Sequence, residues 1–108
     1  MTKEQEENLF KQASDQGLTV SAFLLDRVKK TEDRLLEQGL KVDRFVLDCE
    51  GDCVSLYFFK EPEGYACVSC YEDTWVILLP DVDCYECSIE SDTFLDRCAD
   101  IRRFLGVE

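Results

Sequence analysis

The chain has 108 residues, of which 45% are apolar and 11% aromatic, enough for one folded domain with its own core. It carries 24 Asp and Glu against 12 Lys and Arg, a net charge of −12, with no His and seven Cys. The acidity argues against a binder of nucleic acid or anionic lipid, and the lack of His excludes Ser-His-Asp and Cys-His catalysis and His-containing zinc sites.

The N-terminal stretch MTKEQEENLFK is polar and has no apolar run, so no secretory signal is expected. The longest apolar run, Trp75 to Leu79, is too short to span a membrane. A soluble cytoplasmic protein with reduced thiols follows as the expectation. Thr2 and Gln5 are spaced for a capping box, and Leu9, Phe10 and Ala13 share one face of a first helix that Gly17 stops. Thr19 or Ser21 caps a second helix. Its stripe is Val20, Leu24, Val28 and Leu35, broadened by Phe23, Leu25 and Leu36, and Gly39 ends it. The piece GLTVSAFLLDRV is similar to the helix pair of ribbon-helix-helix DNA-binding proteins, over roughly residues 9–30. The basic DNA-reading strand of that family has no counterpart here. The resemblance therefore implies a helix-turn-helix packing unit and no DNA binding.

The middle of the chain predicts strands. The segments 45–49, 53–59, 65–71, 74–79 and 84–89 are rich in β-branched and aromatic residues. Glu50-Gly51-Asp52, Glu61-Pro62-Glu63-Gly64, Glu72-Asp73 and Pro80-Asp81 separate them, the second with Pro and Gly placed as in a type I turn. Such short links join antiparallel neighbours. The C-terminal section predicts a helix capped by Ser91, Asp92 or Thr93, with the stripe Phe94, Cys98, Ile101 and Leu105 and a stop at Gly106. Asp92 and Asp96 near its start and Arg102 and Arg103 near its end complement the helix dipole. The expected fold is a single α+β domain over 1–108. An antiparallel meander of four to five strands (43–90) packs with two N-terminal helices (1–42) and a C-terminal helix (91–106).

Two Cys-x-x-Cys pairs, Cys67/Cys70 and Cys84/Cys87, are spaced like the ligands of a zinc ribbon. In an extended strand residues three apart point to opposite faces, so neither pair can grip one metal. The expectation is seven reduced, metal-free thiols and no cofactor, with a zinc-stabilised accessory module as the alternative. A redox role needs a Cys at a helix N-terminus, whereas these lie in acidic strands that raise thiol pKa. Cys49, Cys53 and Cys98 have no motif and are expected to pack in the core. Asp48-x-Glu50-x-Asp52 starts like a calcium loop, but Cys53 stands where Gly is needed and Phe59 where Glu is needed.

The charge is uneven. Residues 45–91 hold a single base, Lys60, against 11 acids, net −10, while the segments on either side are each net −1. Asp48, Glu50, Asp52, Glu61, Glu63, Glu72, Asp73, Asp81, Asp83, Glu86 and Glu90 fall mostly at strand ends and turns. Acids two apart on a strand stand about 6.5–7 Å apart, close to the phosphate repeat of nucleic acid. On the strands, Tyr57, Phe59, Tyr65 and Tyr71 alternate with Val54, Leu56, Phe58, Ala66, Val68 and Cys70. The second set is a core for the C-terminal helix. The first set is expected to lie under the N-terminal helices, or else to form an interface with a target or a second copy. The expected function is a non-enzymatic acidic inhibitor that covers a basic, nucleic-acid-binding surface of a protein or nucleoprotein partner. Its contact residues would be the acids from Asp48 to Glu86 together with Tyr57, Tyr65 and Tyr71. In size and charge the chain is similar to phage-encoded anti-CRISPR proteins and DNA mimics; immunity proteins and antitoxins belong to the same physical class.

Overall fold

The computed structural model describes residues 1–80 and 82–107, apart from the side chains of Cys49, Val82, Asp83, Cys84 and Tyr85. Two helices, α1 (Lys3–Asp15) and α2 (Ala22–Glu37), precede five strands: β1 (Arg44–Asp48), β2 (Cys53–Lys60), β3 (Gly64–Tyr71), β4 (Trp75–Leu79) and β5 (Val82–Cys87). Helix α3 (Asp92–Leu105) follows. The strands form one antiparallel sheet in the order β1-β2-β3-β4-β5, the expected meander at its upper count of five. No helix among the described residues is long and apolar enough to cross a membrane.

The predicted helix signals act where the sequence places them. Thr2 and Gln5 close a capping box, and the hydroxyls of Ser21 and Ser91 accept from the backbone N–H groups of Leu24 and Phe94. Gly106 ends α3 at φ +74°, a conformation open to glycine at little cost. The β2–β3 connection contains a cis Glu61–Pro62 peptide.

One apolar cluster joins all three helices to one side of the sheet. It contains Leu9 and Ala13 of α1, Leu24, Val28 and Leu35 of α2, and Phe94, Cys98 and Ile101 of α3. From the sheet it contains Phe45 and Leu47, Val54, Leu56 and Phe58, Ala66, Val68 and Cys70, and Ile77 and Leu79. These sheet residues alternate along each strand and align across the register, so they form a single face. The N-terminal helices therefore do not lie over Tyr57, Phe59, Tyr65 and Tyr71, contrary to the sequence expectation. They share the core side with α3 and leave the opposite face uncovered.

The helix stripes are narrower than the sequence predicts. Phe10, Phe23 and Leu36 are exposed, while Thr31 and Glu32 are buried. Thr31 is buried because Trp75 reaches it: the indole Nε1–H donates to Thr31 Oγ1 at 2.8 Å. Glu32 pairs with the Met1 α-amino group. The Arg27 guanidinium stacks 3.7 Å from the Trp75 ring, and its Nε donates to the Tyr71 carbonyl at 2.8 Å.

At the β1 edge of the sheet, the Gln12 amide of α1 bonds to backbone groups that no strand pairs. Its Nε2 donates to the Phe45 carbonyl at 3.0 Å, and its Oε1 accepts from the Leu47 N–H at 3.0 Å.

Candidate functional site

The uncovered face is built by the same alternation that builds the core. Its cross-strand rows are Arg44–Tyr57–Cys67–Leu78, Val46–Ser55–Ser69–Val76–Glu86 and Asp48–Cys53–Tyr71, with Phe59 opposite Tyr65 beyond them. Small residues occupy the middle of β2 and β3, and taller neighbours shield them, so Ser55 is only 3% exposed although no helix lies above it. Ser55 Oγ donates to Asp48 Oδ2 at 3.0 Å and lies 3.1 Å from Ser69 Oγ. With its one hydrogen on Asp48, Ser55 accepts from Ser69, and a directed hydroxyl chain ends on the carboxylate.

An aromatic cluster stands at the far end of this face. Tyr57 and Phe59 stack at 5.6 Å between centroids, and Tyr65 meets Tyr57 edge-on at 5.3 Å. The Arg44 guanidinium lies 5.4 Å over the Phe59 ring. Burial pushes the Tyr57 hydroxyl pKa up, and nearby Cys67 and Asp48 add to the effect. The fold thus brings Tyr57 and Tyr65 together and adds Phe59 and Arg44. Tyr71 lies six residues along β3, about 20 Å away at the opposite end.

The meander sorts the acids in the same way, since successive turns fall at opposite ends of the sheet. Asp48, Glu50 and Asp52 on the β1–β2 connection and Glu72 and Asp73 on the β3–β4 connection share one end. Glu50 is carried in a left-handed conformation at φ 57°, within a short 3₁₀ turn. Glu72 Oε1 accepts from the Ser21 hydroxyl at 3.1 Å, which places a carboxylate beside the α2 N-terminus. Asp52, Glu72 and Asp73 are exposed and line an open depression of about 530 Å³ with Tyr71 and Phe23. Glu61 and Glu63 are exposed on the β2–β3 connection at the other end. Glu86 is exposed on β5 and accepts from the Thr74 hydroxyl at 3.2 Å. Asp81 and the side chain of Asp83 lie outside the described residues. The acidic run is therefore not one continuous rim, as its sequence suggests. Five carboxylates gather at one end, and two stand at the other beside the bases Lys60 and Arg44.

The cysteines follow the strand alternation. Cys70 points into the core, whereas Cys67 lies on the uncovered face, so the first Cys-x-x-Cys pair is split across the sheet. Cys84 and Cys87 are three apart in β5, and the Cys84 side chain lies outside the described residues, as does that of Cys49. Cys98 is in the core as expected, but Cys53 is buried on the uncovered face instead. Among the described residues no three His, Cys, Asp or Glu side chains come together to hold a metal. Burial raises the Cys70 thiol to about 12 and the Cys98 thiol to about 11, from an ordinary 9.0. It raises Cys87 as well. These thiols stay protonated in the fold when they would ionise in the unfolded chain. Their contribution to stability is complete below pH 9 and is lost as pH rises toward 11–12. The urea midpoint is expected to fall between neutral pH and about pH 10.5, and to fall less in Cys70→Ala/Cys98→Ala. Equal slopes in the two proteins would assign alkaline sensitivity to other groups.

Several residues that shape this surface carry no sequence signal. Arg44 looks like an ordinary strand-end base, and Gln12 like a polar helix residue; only the register of β1 gives them roles. Comparison with known protein families, curated proteins and solved structures returns no match for this chain.

Proposed function

We propose that this is a binding protein that covers a basic, nucleic-acid-binding surface of a partner protein with the acidic end of its sheet. One observation carries the proposal: Asp48, Glu50, Asp52, Glu72 and Asp73 converge on two neighbouring turns, in a segment whose single base, Lys60, lies at the opposite end. An acidic surface that serves only solubility is interleaved with Lys and Arg. Within residues 45–91 no base joins the cluster, although the fold brings Arg27 of α2 to the Tyr71 carbonyl beside it. Lys60 is also engaged elsewhere, donating to the Phe104 carbonyl at the α3 C-terminus at 2.9 Å. The two turns are about 10 Å apart, two strand spacings, and each carries adjacent carboxylates, so the end can present charge to Lys and Arg spaced to receive phosphates. Such a field speeds encounter and repels acidic competitors. The raised thiols and the open, shallow surface favour binding over chemistry.

The test is retention of a basic protein from native extract on the immobilised chain. Retention is expected at low salt, to fade as ionic strength rises, and to be competed by duplex DNA. Asp52→Asn/Glu72→Gln/Asp73→Asn is expected to abolish it through a slower association rate, at unchanged melting temperature. Glu61→Gln/Glu63→Gln is expected to keep most of it. Retention indifferent to salt and to the triple change would show that the acidity serves solubility.

A further inference from the structure

We infer that the uncovered sheet face is occupied by a second copy of this chain, the two sheets packing face to face about a two-fold axis that runs across the strands. The face holds aromatic surface of the kind interfaces use: Phe59 is 38% and Tyr65 43% exposed, beside the half-buried Tyr57. Charge selects the arrangement. Arg44 and Asp48 lie on this face of β1, on either side of Val46. An axis across the strands at Val46 lays β1 antiparallel on its copy, so each Arg44 meets the other copy's Asp48. Stacking on Phe59 already holds the guanidinium over the face. The same axis sends the two acidic ends to opposite poles, whereas an axis along the strands would press them together.

Shape agrees with charge. The row of Arg44 is laid over the row of Asp48, so tall Tyr57 meets small Cys53, and small Cys67 meets tall Tyr71. Five strands about 4.8 Å apart and up to about 26 Å long give a face of roughly 500 Å² in projection. Cys53, Ser55 and Cys67 are already buried within it, so the contact is smaller than the roughly 800 Å² per partner of a standard interface and belongs with the weaker ones. Aligned sheets pack about 10 Å apart, room for one layer of these side chains from each copy. Glu86 is a mismatch, because the axis row brings it toward its own equivalent, and the same axis lays Phe59 and Tyr65 over the other copy's β1–β2 and β3–β4 turns.

Sedimentation equilibrium of the full chain tests this. The expected mass is twice the 12.5 kDa of the chain, and it persists at about 0.5 M salt, where screening relieves the mutual repulsion of two acidic chains. Tyr65→Glu is expected to raise the dimer Kd at least about tenfold, with the melting temperature unchanged. Arg44→Asp or Asp48→Arg alone weakens the dimer, the Arg44→Asp/Asp48→Arg exchange restores it, and Glu86→Gln tightens it. Tyr65→Glu leaves the salt-dependent capture by the acidic end in place, so loss of the dimer and loss of that capture are separate results. A mass of one chain at about 100 μM would overturn the inference and leave the face to a foreign partner. So would a dimer indifferent to Tyr65→Glu, or an exchange that fails to restore it.

Discussion

Phe94→Ala is expected to lower the unfolding free energy by about 3–5 kcal/mol, a large share of the roughly 5–15 kcal/mol of an ordinary domain. Phe94 is fully buried in the first turn of α3, where Ser91 caps its backbone. Helix α3 places only Phe94, Cys98 and Ile101 among the buried residues, and Phe94 is the only aromatic of the three. Alanine removes that contact and leaves a cavity between helix and sheet. Urea unfolding of Phe94→Ala beside Leu95→Ala provides the measurement, since Leu95 is partly exposed on the next position of the same helix. Leu95→Ala is expected to cost under about 1 kcal/mol. Similar losses at both positions would mean that α3 does not dock through its predicted face.

Trp75→Ala is expected to cost about 3–4 kcal/mol, for a different reason. Trp75 is only half-buried, so area alone gives it less weight than Phe94. It closes a cycle that ties α2 to β3 and β4. The indole donates to Thr31, Thr31 donates to the Arg27 carbonyl at 2.7 Å, and Arg27 both stacks on the indole and donates to Tyr71. Alanine at 75 removes the centre of this cycle and strips the cover from the guanidinium. Trp75→Phe keeps a ring for Arg27 and loses one donor, so its expected cost is about 1–2 kcal/mol. Because Trp75 is the sole tryptophan, unfolding should be followed by far-ultraviolet circular dichroism. Equal losses in the two variants would place the whole effect in the hydrogen bond to Thr31.

The strands were legible because their alternation is strong. Val54, Leu56 and Phe58 against Ser55, Tyr57 and Phe59 fix two faces with no knowledge of the rest of the chain. Alternation does not say which face is covered, however. The uncovered face is as aromatic as a core face, and only the position of α1 and α2 distinguishes them. The helix stripes failed for a related reason. Periodicity ranks Phe23 and Leu36 above Thr31, but a threonine can be buried when an indole N–H satisfies its oxygen. The acidic segment misled in another way. It is continuous in the chain, yet a meander reverses direction at every turn, so Glu61 and Asp52 are separated by the length of a strand. Glu72, further along the sequence, returns to the side of Asp52.

The Gln12 amide gives the sheet a polarity of growth. It occupies the donor and acceptor positions where a sixth strand would begin on the β1 side, and it is anchored from a helix rather than from a neighbouring strand. A sheet with two unpaired edges can add molecules without limit, each addition regenerating the edge that it consumed. With that side plugged, no strand of another molecule can extend the sheet through the Phe45 carbonyl and the Leu47 N–H. A single glutamine thereby closes the β1 edge to strand addition, beside a sheet whose second face is aromatic.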